Sequence, residues 1–217
     1  MIFFFDLDGT LIDPAVGITR SLQHALEKLG RAVPPAAALT RFIGPPLRET
    51  FAELLATTDE TLIEDAVDSY RARFGAIGLF ENEVYIGIPE ALDAVRRAGH
   101  RAFVVTSKPH VYARRIVDHF GLALWIEGVF GSELSGENTD KRDLLRLALR
   151  QLRASGTDAW MVGDRGTDVA GARANQVAAL AAAWGYGSAA ELLAARPDRI
   201  VASPMELRGL AAKLGPR

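Results

Sequence analysis

Residues 3–13 read FFFDLDGTLID, and the fold turns on how that stretch is taken. Three phenylalanines in a row, with no polar alternation, form the pattern of a strand buried on both faces. Two aspartates follow at once, and Asp is among the residues least often found fully buried. In an extended chain residues i and i+2 share a side. At a strand end Asp6 and Asp8 can therefore flank one small group while Leu7 packs inward. Gly9 permits a sharp departure of the backbone, and Thr10 can tie the turn through its hydroxyl. A plain surface turn would also accept these acids, so the rest of the chain has to decide.

Beyond the first strand, residues 15 to about 80 read as successive helices. AVGITRSLQHALEKLG (15–30) places Val16, Leu22, Leu26 and Leu29 near helical spacing, with Asp13 as an expected cap and Gly30 as an expected stop. From residue 85 the rhythm changes. Strands such as RAFVVTS (101–107), IEGVFGS (126–132), DAWMVGD (158–164), VAALAAAWG (177–185) and RIVAS (199–203) alternate with helical segments, the last being PMELRGLAAKL (204–214). Strands separated by helices of 10–15 residues indicate crossover connections and a parallel sheet covered on both faces. The expected fold class is α/β: a doubly wound, Rossmann-like parallel-sheet core formed by residues 1–14 and 86–217. An all-helical domain, residues 15–85, is inserted after the first strand, and FENEVYIGI (80–88) serves as the return linker.

Composition bounds the function. The 217 residues are 49 % apolar and 24 % charged, ordinary for a globular protein with a real core. A net charge of −2 and a pI near 6.1 give no electrostatic footprint for a nucleic acid polymer or an acidic membrane. The absence of cysteine excludes disulfides, thiolate metal sites and a cysteine nucleophile, and it fits a reducing compartment. The chain meets Asp6 without a basic leader, and its longest apolar run is Val177–Trp184. A secretory core needs roughly 7–15 apolar residues after a charged start, and a membrane span about 20. A cytoplasmic protein is expected.

In such a sheet, ligands bind outside the carboxyl ends of the strands, near the point where strand order reverses. Asp6, Asp8, Gly9 and Thr10 end the first strand, and Thr106, Ser107 and Lys108 end the next core strand. A helix begins around Asp140 and Lys141, and another strand ends in Gly163, Asp164 and Arg165, followed by Asp168. Singly, each has a plain structural reading: hydroxyls that cap a helix, a solvated lysine, acids facing a helix dipole. Together, acids, hydroxyls and a lysine converge on one edge of the sheet. An oxygen-rich set of carboxylates suits Mg²⁺. The collection fits phosphoryl transfer, in which a carboxylate attacks phosphorus and a second carboxyl protonates the departing alcohol.

These four segments resemble the haloacid dehalogenase-like hydrolase superfamily over essentially the whole chain. FFFDLDGTLID (3–13) is similar to its first motif, VVTSKP (104–109) to its second, TDKRDLL (139–145) to its third and MVGDRGTDVAGARAN (161–175) to its fourth. The helical insert resembles the smaller type of cap domain. The resemblance implies that Asp6 is the nucleophile and Asp8 the general acid/base. Asp6, Asp8 through its backbone carbonyl, and Asp164 would hold Mg²⁺. Thr106 and Lys141, with Ser107 beside them, would contact the phosphoryl group, and Asp168 would support the metal's waters or orient Lys141.

An acid at position 8 argues for phosphate esters over halides, because an alcohol needs a proton to leave. The local sequence is most similar to phosphoglycolate phosphatases and, nearer still, to the bacterial 5′-nucleotidase-like branch. The implied function is a Mg²⁺-dependent phosphomonoesterase acting on a small phosphorylated metabolite. A 5′-nucleoside monophosphate is preferred and phosphoglycolate is the alternative, in a monomer or homodimer. A non-catalytic binding protein on the same fold is the alternative from another class. Cap residues would choose the substrate, and TRFIGPPLRETF (40–51) is the candidate segment. There Gly44–Pro45–Pro46 makes a stiff turn flanked by Arg41 and Arg48. GYGSAA (185–190) satisfies the loose G-x-G-x-x-A dinucleotide pattern, but on a late strand rather than the first of a nucleotide-binding half.

Overall fold

The computed structural model describes residues 1–211 and 213–214. The chain forms two compact units, Met1–Asp13 with Val84–Arg217, and Pro14–Glu83. In chain order the strands are β1 (Ile2–Phe5), β2 (Ile12–Asp13), β3 (Glu83–Val84), β4 (Arg101–Pro109), β5 (Ile126–Ser132), β6 (Ala159–Gly163), β7 (Ala178–Ala182) and β8 (Arg199–Val201). The helices are α1 (Ala15–Lys28), α2 (Ala36–Leu39), α3 (Leu47–Leu55), α4 (Glu60–Ala76), α5 (Ile88–Arg97), α6 (His110–His119), α7 (Lys141–Leu152), α8 (Gly166–Ala174), α9 (Ala189–Ala195) and α10 (Pro204–Ala211). Ala212, which the sequence reading placed inside the last helix, lies outside the described residues.

Among the described residues the first unit is built on a six-stranded parallel sheet ordered β5-β4-β1-β6-β7-β8. This is the expected doubly wound α/β fold. Its center is β1, in register with Val104 on one side and Val162 on the other at Phe5. The phenylalanine run is explained by that position. Phe4 joins the cluster of Phe103, Met161, Val105 and Leu144 on one face of the sheet. Phe3 and Phe5 stack on each other at 6.3 Å on the opposite face, where Phe3 also meets His100. Chain order reverses on either side of β1, so the carboxyl ends of β1, β4 and β6 open on the switch point.

The second unit is helical. Leu22, Leu26, Phe51, Ile63, Val67, Tyr70 and Phe74 are buried, with Tyr70 stacked on Phe74 at 5.3 Å. Two details of the sequence reading need correction. Asp13 does not cap α1: Pro14 holds the cap position without a side-chain bond, and the Asp13 carboxylate accepts instead from the Tyr186 hydroxyl. Val16 is 42 % exposed, because the buried face of α1 runs through Ile18, Leu22, Ala25 and Leu26.

Candidate active site

The site is assembled from strand ends. The Asp6 N–H donates to Val162 O at 2.9 Å, so the sheet ladder fixes the backbone one residue beyond β1. The chain then turns at Gly9, where φ is +79° and Gly9 N donates to Ile12 O at 2.8 Å. A Cβ there would lie 2.3 Å from Asp164 Oδ2, so only glycine lets this turn lie against that carboxylate. Thr10 is buried, and its hydroxyl donates to Asp164 Oδ1 at 3.3 Å.

Lys141 opens α7 and reaches back under the sheet edge. Its ammonium lies 2.8 Å from Asp6 Oδ1 and 2.8 Å from Asp168 Oδ1, and donates to Val105 O at 3.0 Å. Asp168, one turn into α8, uses Oδ2 to accept from Arg165 N at 3.1 Å, which ties the helix start to the same carboxylate. Lys108 reaches Asp8 Oδ2 at 2.7 Å. Thr106 is buried, and its hydroxyl accepts from Lys108 N at 3.2 Å. Ser107 donates to Thr139 O at 2.9 Å, holding the segment that leads into α7.

The glycines of residues 185–190 have a local purpose. Tyr186 N donates to Asp164 Oδ2 at 2.7 Å. A Cβ on Gly185 would lie 2.3 Å from both Asp164 Cβ and Gly9 O, and one on Gly187 would lie 1.9 Å from Asp164 O. This loop packs bare backbone against a carboxylate-bearing turn, which accounts for the glycines without a dinucleotide. Trp184 Nε1 donates to Thr10 O at 3.0 Å and closes the same corner. Gly185→Ala is therefore expected to displace Asp164 and destabilise the protein by about 1–3 kcal/mol. Urea unfolding of the variant beside the wild type checks it.

Electrostatics in this corner are unbalanced. Among the described residues, Asp6, Asp8, Asp164 and Asp168 face two ammonium groups, those of Lys108 and Lys141. Burial, with Asp6 and Asp168 close by, pushes the Asp164 carboxyl up to about 7. Burial likewise raises Asp168 to about 6, against the lowering pull of Lys141. Asp8 is raised by burial and restrained by Lys108. Burial alone would lower Lys141, yet Asp168 and Asp6 hold it above its usual value. Asp6, Asp164 and Asp168 each offer a carboxylate oxygen within 4.8 Å of the others, and Asp8 Oδ1 is buried with no hydrogen-bond partner among the described residues. A hard, oxygen-only donor set with excess negative charge fits a divalent cation.

The residues expected to select substrate lie in the helical unit. Arg41 pairs with Glu53 at 2.6 Å and stacks over Phe42, while Arg48 pairs with Glu64. Gly44 turns the chain at φ +107° between them. Arg41, Phe42, Pro45, Glu49, Thr50 and Glu53 line a cleft of about 270 Å³. Lys108 is given no role by the sequence, and the available signal was its place directly after Thr106 and Ser107 at a strand end.

A doubly wound sheet with carboxylates, hydroxyls and lysines gathered at its switch point has the groups that phosphoryl transfer needs. The haloacid dehalogenase-like hydrolase family matches residues 3–182, and the chain belongs to it. A 5′-nucleotidase of Pseudomonas aeruginosa is 45 % identical over 204 residues, covering 94 % of this chain and 92 % of that one. The tyrosine-protein kinase PtkA of Mycobacterium tuberculosis is 42 % identical over 185 residues, covering 85 % of this chain and 62 % of its own. A predicted phosphatase from Clostridium acetobutylicum has a crystal structure that superposes with a TM-score of 0.90 at 40 % identity, covering 98 % of each chain. Two further relatives at 29 % identity are named phosphoglycolate phosphatase. Within the family, the chain is a phosphatase. No helix among the described residues is long and apolar enough to cross a membrane.

Proposed function

We propose that the protein is a Mg²⁺-dependent phosphomonoesterase that works through an aspartyl-phosphate on Asp6, with a 5′-nucleoside monophosphate as preferred substrate. The observation that carries the reading is the pairing of Asp6 and Asp8 at one strand end, each held by its own lysine. An Asp6 carboxylate oxygen attacks phosphorus and the bond to the ester oxygen breaks. The departing alkoxide takes its proton from the Asp8 carboxylic acid. Asp8, now a carboxylate, takes a proton from water as the water oxygen attacks the acyl phosphate. The bond between phosphorus and Asp6 breaks, releasing inorganic phosphate and restoring both groups.

Lys141 and the Thr106 hydroxyl, with Ser107 at the same strand end, bind the phosphoryl oxygens, and Asp168 holds Lys141 in place. Asp6, Asp164 and the Asp8 carbonyl would hold Mg²⁺, which when bound supplies further charge neutralisation on the phosphoryl group. The helical unit, through Arg41, Gly44 and Arg48, selects the rest of the substrate. The 5′-nucleotidase name of the 45 % identical relative supports the nucleotide, and the more distant phosphoglycolate phosphatases supply the alternative.

Steady-state phosphate release across 5′-nucleoside monophosphates, phosphoglycolate and sugar phosphates tests the reading, with Mg²⁺ and with EDTA. Metal-dependent release is expected, highest on a nucleotide. A preference for phosphoglycolate moves the chain to the alternative. Release from none of them overturns the hydrolytic reading, and transfer of the phosphoryl group to another acceptor becomes the next assay.

A further inference from the structure

We propose that Lys108 is a positioning residue for Asp8: it holds Oδ2 so that Oδ1 is turned to the oxygen of the leaving group. The inference rests on the reading of Asp8 as the acid and assigns the geometry that makes it one. A lysine is seldom buried unless paired, and the Lys108 side chain is 6 % exposed. Its ammonium lies 2.7 Å from Asp8 Oδ2, while Asp8 Oδ1 is buried with no hydrogen-bond partner among the described residues. The two oxygens of one carboxylate are thus unequal: one anchored, one held ready.

The backbone is shaped to aim this lysine. Thr106 pairs with Gly131 across β4 and β5, but the next pair is Pro109 with Ser132. Ser107 and Lys108 are the extra residues of that irregularity, and a bulge of this kind re-aims side chains at a strand end. Gly131 makes it possible, since a Cβ there would lie 2.7 Å from Lys108 O. The bulge is pinned on both sides, by Ser132 Oγ donating to Ser107 O at 2.8 Å and by Lys108 N donating to the Thr106 hydroxyl.

A lysine that acts through the acid differs from one that grips the phosphoryl group. The phosphoryl group is the same in every substrate, so losing a phosphate ligand slows all of them alike. Hydrolysis of the acyl phosphate, where Asp8 is the base, is common to all substrates and enters kcat. In kcat/KM, which ends at release of the alcohol, losing the orientation of the acid slows only esters whose leaving group needs a proton. The test compares kcat/KM on a 5′-nucleoside monophosphate, which leaves as an alkoxide, with that on p-nitrophenyl phosphate, which leaves as a stable phenolate. Lys108→Met is expected to cost about a hundredfold on the nucleotide and less than about tenfold on the aryl ester. The ratio of the two values does not depend on how much of the variant is folded. Lys108→Arg, which keeps a cationic donor, is expected to restore most of the ratio, and Asp8→Asn/Lys108→Met to be no worse than Asp8→Asn alone.

Equal losses on both esters in Lys108→Met overturn the proposal, and so does a double variant whose losses multiply. If Asp8→Asn is itself selective while Lys108→Met is not, the positioning role alone fails. If Asp8→Asn is unselective, the acid reading fails and takes this inference with it.

Discussion

Asp6→Asn is expected to abolish phosphate release, by about 10⁴-fold or more, in a protein that stays folded. An amide has the shape of the carboxylate but neither its nucleophilicity nor its ability to leave again as an anion. The backbone at this position is held by the sheet, since Asp6 N continues the ladder to Val162 O, and the substitution leaves that bond alone. Lys141 loses one of its two carboxylates but keeps Asp168 at 2.8 Å. In exchange, Asp164 loses one of the neighbors that push its carboxyl up to about 7. These opposing changes are expected to leave stability within about 1 kcal/mol of the wild type. Single-turnover phosphate release and urea unfolding on the same preparation separate the two halves of the expectation. Release near the wild-type rate would exclude Asp6 as the attacking group. A folded but inactive variant removes the alternative of a binding protein on this fold, because the parent would then have been the active species.

The sheet and the converging edge were legible because parallel strands leave a simple trace. The phenylalanines at 3–5 are all buried, which requires a strand covered on both faces, and that placement fixes where Asp6 and Asp8 must emerge. Asp164 joins them from far along the chain because β6 lies next to β1 in register, and adjacency of strand ends follows from the fold class alone. Side-chain pairing was less legible. Arg41 and Arg48 read as candidates for selecting substrate, with no partner visible in the sequence, yet Glu53 and Glu64 engage them from other helices, and no helical spacing links residues 12 or 16 positions apart. Asp13 read as a helix cap because its partner Tyr186 lies 173 residues away. The glycines at 185 and 187 read as a weak cofactor signal because glycine records only that backbone comes close to something. Here the something is Asp164.

Lys141→Met is expected to destabilise the protein by about 3–5 kcal/mol near neutral pH, the usual cost of removing one partner from a buried ion pair. The side chain is 4 % exposed and sits 2.8 Å from both Asp6 and Asp168, so methionine fills the volume but leaves two carboxylates without their cation. Pairing in the wild type holds the Lys141 ammonium above its usual value. As far as its own proton is concerned, the lysine's contribution is complete below the ordinary lysine range and fades as pH rises through the raised folded value. At the acid end that contribution is limited by protonation of its carboxylate partners. In the variant the carboxylates govern instead. Asp168 is already raised to about 6 with the lysine beside it, and without the lysine it rises further. A folded carboxyl raised above its unfolded value binds protons more readily in the native state, so the variant gains stability as pH falls through that range. The deficit against wild type is expected to be widest at pH 8 and to shrink steadily toward pH 5. Urea titrations at several pH values measure it. A deficit that does not change with pH would mean that lost packing, rather than uncompensated charge, is what Lys141 prevents.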